Sequence, residues 1–497
     1  MADYSTVFSV RRLWIIFGAT MFVMFGTLLY FGQQIYQAKP PIPSSIVTSS
    51  GQTLYTRADI ERGQNIWQST GGMQQGSIWG HGSYVAPDWS ADWLHREALA
   101  LLDIIALAES GSSYEDLPAP EQARLKAVLR EEMRTNTYDN SNGTITVNSP
   151  RTQAITVVAE HFADLFEGKS VQSQELREQY AMPIDATLSN DETRSLNAFF
   201  FWTAWAATTN RPGESYTYTS NWPHEPLVGN TPTGNVFMWT IISIFVLLGG
   251  IGGLVWYYAK EFDVWRRDGV PETGFAASDF MDNAVITSSM RATTKYFLVV
   301  AALFLAQIGL GIITAHYAVE GQGLYGLPLV EYFPYSVTRT WHTQLAVLWI
   351  ATAWLATGIY VAPLLGGRDP KWQVFGVNFL WVSLLVIVVG SFAGEWMAIN
   401  RLIPDLAINF WFGTQGYEYV DLGRFWQVYL FIGLLLWVGL VLRGMWPALK
   451  EKATKSLLYL IVLATVSIGL LFGAGLLYGQ NTHIAIMEYW RWWVVHL

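Results

Sequence analysis

The chain has 497 residues, 51% hydrophobic and 15% aromatic, with only 14% charged, where a soluble domain carries about 25% charge. This composition argues against a soluble enzyme, a disordered protein and a nucleic-acid binder, which needs a basic surface, while the net charge of −9 says little until it is divided by region. Cysteine is absent, which excludes disulfides, thiolate zinc sites, Cys-ligated iron–sulfur or copper centres and covalently attached c-type haem. Any redox metal therefore sits on His, Met, Tyr or carboxylates.

In chain order, Leu13 to Tyr30 form one apolar run of roughly 18 residues behind Arg11 and Arg12. No small-residue cleavage site follows, so the run reads as an uncleaved anchor, residues 1–35. Residues 36–234 are polar, with about 13 Lys/Arg against about 23 Asp/Glu, and hold essentially all the acidity. Helical patterns run over Asp92–Ser110, Glu121–Thr135, Arg151–Gly168 and Asn190–Thr208, separated by stretches such as TYDNSNGTITVNSPRT that read as loops. The region is a mostly helical domain large enough for its own core.

From residue 235 the apolar runs recur, each long enough to cross a hydrocarbon core of about 30 Å. They lie near 235–259, 294–318, 340–364, 372–397, 425–447 and 455–478, and a further run starts at Ile484. Trp and Tyr crowd their ends as an aromatic belt does. The N-terminus and the loops near 260–293, 365–371 and 443–455 carry about 12 Lys/Arg, among them Arg266, Arg267, Arg368, Lys371, Lys450 and Lys452; the opposite loops carry about 3. This bias predicts a cytoplasmic N-terminus and an acidic domain on the outer side of the membrane. The last run, IAIMEYWRWWVVHL, is about 14 residues and would span only about 21 Å, so the sequence reads as cut within residues 235–497, in mid-membrane.

Eight histidines are present. His81, His95, His161 and His224 fall in the polar domain without metal-like spacing and read as surface or structural residues. His342, about one turn inside the span RTWHTQLAVLWIATAWLATG, is placed either to ligate a haem iron or to bond a headgroup or carbonyl at the interface. His316 and Glu320, at i and i+4 in ITAHYAVEGQGLYG, share a helix face. Such a pair suits a hydroxyl donor that must lose protons, such as a quinol head group. It also suits a water-facing helix end, and His316 with His342 would serve as two axial ligands of one b haem. His496, flanked by Trp492, Trp493, Val494 and Val495 deep in the last run, needs a partner or a metal. Glu395 and Glu418, near the outer ends of neighbouring spans, fit either a hard cation or a propionate-linked water network, or else salt bridges to Arg401 or Arg424.

The strings RTWHTQLAVLWIATAWLATGIYVAP, GTQGYEYVDLGRFWQ, EYWRWWVVHL and GHGSYVAPDWSADWLHREAL closely resemble quinol-dependent nitric oxide reductase, of the haem–copper oxidase superfamily. The resemblance covers nearly the whole chain. It implies an all-α integral membrane protein: a multi-span helical bundle with an anchor helix and an outer cytochrome c-like domain that lacks haem c. It implies that quinol electrons pass through low-spin haem b to a high-spin haem b and a non-haem iron, where nitric oxide becomes nitrous oxide. On this resemblance His342 is an axial ligand of the low-spin haem, His496 a catalytic ligand of the non-haem iron, and His316 with Glu320 the quinol site. Tyr84 and Glu418 match positions linked to calcium between the haems. The implied partners are membrane quinol, nitric oxide, the lipid bilayer of a bacterial inner membrane and a second copy in a homodimer. The family motif continues from His496 as H-L-W-V-E, and the remaining iron and haem histidines lie further on, so these residues alone would not complete the centre. The alternatives are a relative that dismutates nitric oxide, a quinol-binding b-type cytochrome using His316 and His342, and an inactive membrane fragment.

Overall fold

A computed structural model describes residues 9–261, 284–323, 326–450 and 455–495. His496 lies outside the described residues, as do Arg266, Arg267 and Lys452 of the charge-bias argument. The described elements run α1 (Val10–Ala38), β1 (Ser45–Thr48), β2 (Thr53–Thr56), α2 (Arg57–Ser69), α3 (Trp89–Ser110), α4 (Ala119–Arg134), β3 (Tyr138–Asp139), β4 (Thr144–Val147), α5 (Ser149–Glu167), α6 (Val171–Gln179), α7 (Asn190–Thr208) and α8 (Gly234–Glu261). There follow α9 (Ser288–Ala292), α10 (Thr294–Glu320), α11 (Leu329–Tyr332), α12 (Tyr335–Gly366), α13 (Gln373–Ile399), α14 (Leu406–Phe412), α15 (Arg424–Leu449), α16 (Lys455–Ala474) and α17 (Ile484–Val495). Among the described residues seven helices are long and apolar enough to cross a membrane: α1, α8, the α9–α10 stretch, α12, α13, α15 and α16.

Two compact units form, one from Met1–Lys39 with Thr231–Ala284, the other from Pro40–Asn230 with Val285–Leu497. In the first, α1 and α8 are apolar on every side and almost wholly exposed, with Phe31 and Trp239 edge to face at 6.5 Å. A helix apolar all round is stable only where lipid or protein covers it.

The second unit joins the polar domain to five of the spans. Local signals set the domain's helices: Thr56 with Asp59 and Ser189 with Glu192 form capping boxes that open α2 and α7. Asp88 and Asn148 cap α3 and α5, and left-handed glycines Gly111 and Gly168 end them. The core between α3, α5 and α7 is aromatic, with Trp93 stacked on Phe162 at 5.3 Å and Trp89 on Phe200 at 5.6 Å. Through it runs one ion pair, Arg151 Nε to Glu97 Oε1 at 2.7 Å, both side chains buried. The fold is mostly helical, but a small sheet, ordered β2-β1-β4-β3, interrupts it, with β1 parallel to β4 and the other pairs antiparallel. Its hairpin β3–β4 lies inside the stretch read as a loop. Thr, Asn and Ser dominate that stretch, and the alternation of buried Ile145 and Val147 is only two residues deep. The strand exists because Ile145 pairs with Ile46, a partner a hundred positions earlier that no local pattern reveals.

In the membrane part α12 packs against α10, α13 and α15. The approach of α12 to α15 is close enough that a Cβ on Gly366 would meet the Gly444 carbonyl, and Trp437 lies against Gly358. The C-termini of α10, α13 and α16 and the N-termini of α12, α15 and α17 all gather at the polar domain.

Candidate functional site

Main-chain and amide contacts seal the polar domain onto this end of the bundle. Met73 N–H donates to the Gly416 carbonyl at 2.8 Å, at a point where neither Gly72 nor Gly416 has room for a side chain. Gln68 Nε2 donates to the Tyr417 hydroxyl at 2.6 Å, Gln322 Nε2 to the Met182 carbonyl at 3.0 Å, and Arg401 pairs with Glu192. Ser83 and Tyr335 hydroxyls meet at 3.1 Å.

His342, on the second turn of α12, turns its ring onto α10. Its Nδ1 lies 2.9 Å from the Gln307 carbonyl, which fixes the proton on Nδ1 and leaves the Nε2 lone pair for a metal. The ring fits because residue 311 is glycine, since a Cβ there would stand 2.7 Å from His342 Cε1 and 2.9 Å from Nδ1. Gln307 is held in turn by Trp349, whose Nε1 donates to its Oε1 at 2.7 Å.

His316 and Glu320 do share a face at the end of α10, with Nδ1 2.9 Å from Oε2. His316 Nε2 reaches the Gly323 carbonyl at 3.0 Å, so both ring nitrogens face acceptors. His316 is largely buried and Glu320 exposed. Beside them, a cavity of about 770 Å³ opens between α6 and the chain after α10, lined by Arg177, Met182, Gln322, Gly323 and Leu327 among others. That volume falls in the usual range for a small-molecule site.

The acidic residues form a third group. Glu418 pairs with Arg339 at 2.6 Å, and neither Arg401 nor Arg424 is its partner. Arg401 goes to Glu192, and Arg424 donates to the carbonyls of Gly475 and Tyr478 at 2.8 and 2.5 Å. Arg339 also donates to Gln74, whose Nε2 donates to Asp421 Oδ2 at 3.0 Å; Gln344 Nε2 donates to the same oxygen at 3.0 Å. Burial pushes the Asp421 carboxyl up to about 7; the two amide donors and Arg339 oppose the rise and Glu418 adds to it. Arg491 holds Glu488 through two bonds of 2.9 Å and donates to the Glu418 carbonyl at 3.3 Å. His81 Nδ1 lies 2.7 Å from Glu488, which gives a histidine that reads as merely structural in the sequence a place at the domain–bundle boundary. Tyr84 is 70% exposed, and its hydroxyl donates to the Gly80 carbonyl at 2.9 Å. Among the described residues no three His, Cys, Asp or Glu side chains cluster as a metal cage.

Arg339, Gln74, Gln344 and Asp421 escape a reading of the sequence because their signal is pairing across distance. Gln74 and Asp421 are 347 positions apart.

Two family models match the chain. Residues 43–224 match the NorB cytochrome c-like domain of nitric oxide reductase. Residues 291–497 match cytochrome C and quinol oxidase polypeptide I. The chain belongs to the haem–copper oxidase family, as a member of the NorB type. That family is one of oxidoreductases, and membership implies haem cofactors. The residues present fit a haem at His342: the ring has a fixed tautomer, a glycine cradle on one side, and no protein donor or acceptor among the described residues on Nε2.

Proposed function

We propose that this member of the haem–copper oxidase family oxidises a membrane quinol and that the quinol's electrons reduce nitric oxide to nitrous oxide at a high-spin haem b and non-haem iron. The observation that carries the reading is the His316–Glu320 pair on α10, one helix away from the His342 ring. A quinol must lose two protons and two electrons. Glu320, exposed at the end of α10, would accept a hydroxyl proton, and His316, bonded to it through Nδ1, would hold the carboxylate in position. Haem b, when bound, supplies one-electron transfer. Gln307 and Gly311 keep the His342 Nε2 presented to it. His496 is assigned to the non-haem iron on the family motif. Tyr84 and Glu418 are assigned to calcium on the same ground, with the Arg339 pair supplying a counter-charge at Glu418.

Residues 1–35 are read as the anchor, 36–234 as the outer domain and 235–497 as part of the catalytic bundle. The Lys/Arg bias supports a cytoplasmic N-terminus with the domain outside, and the bacterial inner membrane rests on the resemblance. The homodimer rests on the resemblance alone.

A b-type cytochrome that uses His316 and His342 as one haem's ligands is disfavoured by the bonds on both His316 nitrogens. The test is His316→Ala. Haem retained with quinol oxidation lost by tenfold or more supports the quinol site; haem lost supports the cytochrome.

A further inference from the structure

At the polar-domain end of the bundle the arginines are bonded: Arg339 to Glu418, Arg401 to Glu192, Arg491 to Glu488 and Arg424 to two carbonyls. The opposite end is built differently. There α9 and the start of α10, the loop from α12 to α13 and the end of α15 carry Arg291, Lys295, Arg368, Lys371, Arg443 and Lys450. Asp369 is the sole acid among the described residues of these segments. Its carboxylate is spent on Ser289, whose N–H donates to Oδ2 at 3.0 Å and whose hydroxyl donates to Oδ1. Among the described residues none of these cations enters an ion pair.

The bond that uses Asp369 also places the cations. Arg291 is two residues from Ser289, Arg368 is next to Asp369, and Lys371 is two residues beyond it, so exposed cations from two elements flank one 3.0 Å contact. The end of α15 lies against the same loop, since a Cβ on Gly366 would meet the carbonyl of Gly444, the residue after Arg443. Cations crowded on one surface repel, and an anion among them removes the conflict.

Apolar surface continues from the charge. At the start of α13, Trp372, Phe375 and Phe379 form one exposed stripe, with Trp372 edge to face on Phe375 and Phe375 stacked on Phe379, each at 6.4 Å. The Lys450 ammonium lies 6.0 Å from the ring centre of exposed Trp446, and Lys295, bonded to Asn378, lies 4.7 Å over Trp381. Ammonium groups over indoles at the end of an apolar helix keep their stems in hydrocarbon and their charge at a phosphate layer. A soluble anion has no use for the aromatic stripe, whereas an acyl chain covers it.

We propose that this end of the bundle binds anionic phospholipid, with the headgroup phosphate among Arg291, Arg368 and Lys371 and an acyl chain along Trp372, Phe375 and Phe379. Such binding depends on neither the quinol nor nitric oxide.

Native mass spectrometry of the purified, haem-loaded full protein, stripped of lipid in mild detergent, tests this surface. Phosphatidylglycerol should stay bound at concentrations where phosphatidylcholine with the same chains is lost. At about fivefold per cation beside a phosphate layer, Arg291→Gln, Arg368→Gln and Lys371→Gln together should weaken that retention roughly a hundredfold. The three side chains are exposed, so the triple variant should melt with the parent, and Lys126→Gln on the polar domain should keep full retention. If the triple variant does not fold, Lys371→Gln alone, with about a fivefold loss, decides the matter. Equal retention of the two lipids, or a triple variant that holds phosphatidylglycerol as tightly as Lys126→Gln does, would overturn the proposal. So would displacement of the lipid by millimolar inorganic phosphate, which marks a site for a soluble anion.

Discussion

Gly311→Ala tests the seat of His342 with one methyl group. The added Cβ would stand 2.7 Å from His342 Cε1, where carbon atoms prefer about 3.5–4.0 Å, so the ring has to retreat by roughly 1 Å. That retreat breaks the 2.9 Å bond to Gln307, a residue one turn earlier on the same helix as Gly311. Overpacking costs about 1–3 kcal/mol and the lost hydrogen bond about 1 kcal/mol, while replacing glycine in a helix returns about 1 kcal/mol. The net loss is about 1–3 kcal/mol, concentrated on the ring proposed to bind the low-spin haem iron. Gly309, two residues away, is the control, because a Cβ there meets nothing within 4 Å. The assay is the reduced-minus-oxidised visible spectrum of each purified variant, with its thermal midpoint. Gly311→Ala should lose or broaden the low-spin haem band and melt earlier; Gly309→Ala should match the parent or melt slightly later. Equal spectra for both variants would refute the reasoning.

Three further outcomes follow. Glu320→Gln should slow quinol oxidation at least tenfold with haem content unchanged, as read from steady-state rates with a water-soluble quinol; an unchanged rate would remove Glu320 from the site. Arg151→Met leaves the Glu97 carboxylate buried and unpaired and should cost about 3–5 kcal/mol, seen as a lower melting temperature of the polar domain, while adding Glu97→Gln should restore much of it. Because the folded-state value of Asp421 lies above its ordinary 3.8, the folded protein holds this proton longer than the unfolded chain. Stability from this group is full below pH 3.8, falls as pH rises and levels off above about 7, so Asp421→Asn should flatten the melting-temperature slope across that window.

The membrane spans are legible in the sequence because a lipid-crossing helix must be long and apolar throughout, a demand that leaves one local signature per span. The apolar run read as 425–447 forms α15, Arg424–Leu449, for that reason. The domain's longer helices carry their own caps, such as Ser189 with Glu192. By contrast α2 has a polar composition and is buried chiefly against α7, and α6 is short and charged; each has a capping box at its start but no apolar periodicity that marks a helix. His316 with Glu320 is legible since i and i+4 is a helix contact. The partner of Glu418 is not: Arg401 and Arg424 are nearer in sequence, yet Arg339, from the start of α12, takes the carboxylate while the others hold Glu192 and backbone carbonyls. His81 illustrates the same limit, because nothing around it in sequence points to Glu488.

The central claim is that quinol oxidation in this protein drives nitric oxide reduction. Its most direct test is nitric oxide uptake by membranes containing the protein, with a reduced quinol as sole electron donor and nitrous oxide, quinone and dioxygen all measured. The account predicts one quinol oxidised for each nitrous oxide formed, with nitric oxide consumed two to one and no dioxygen released. Nitric oxide consumed without quinol and with dioxygen evolved, or no uptake at all from haem-loaded protein, would contradict it.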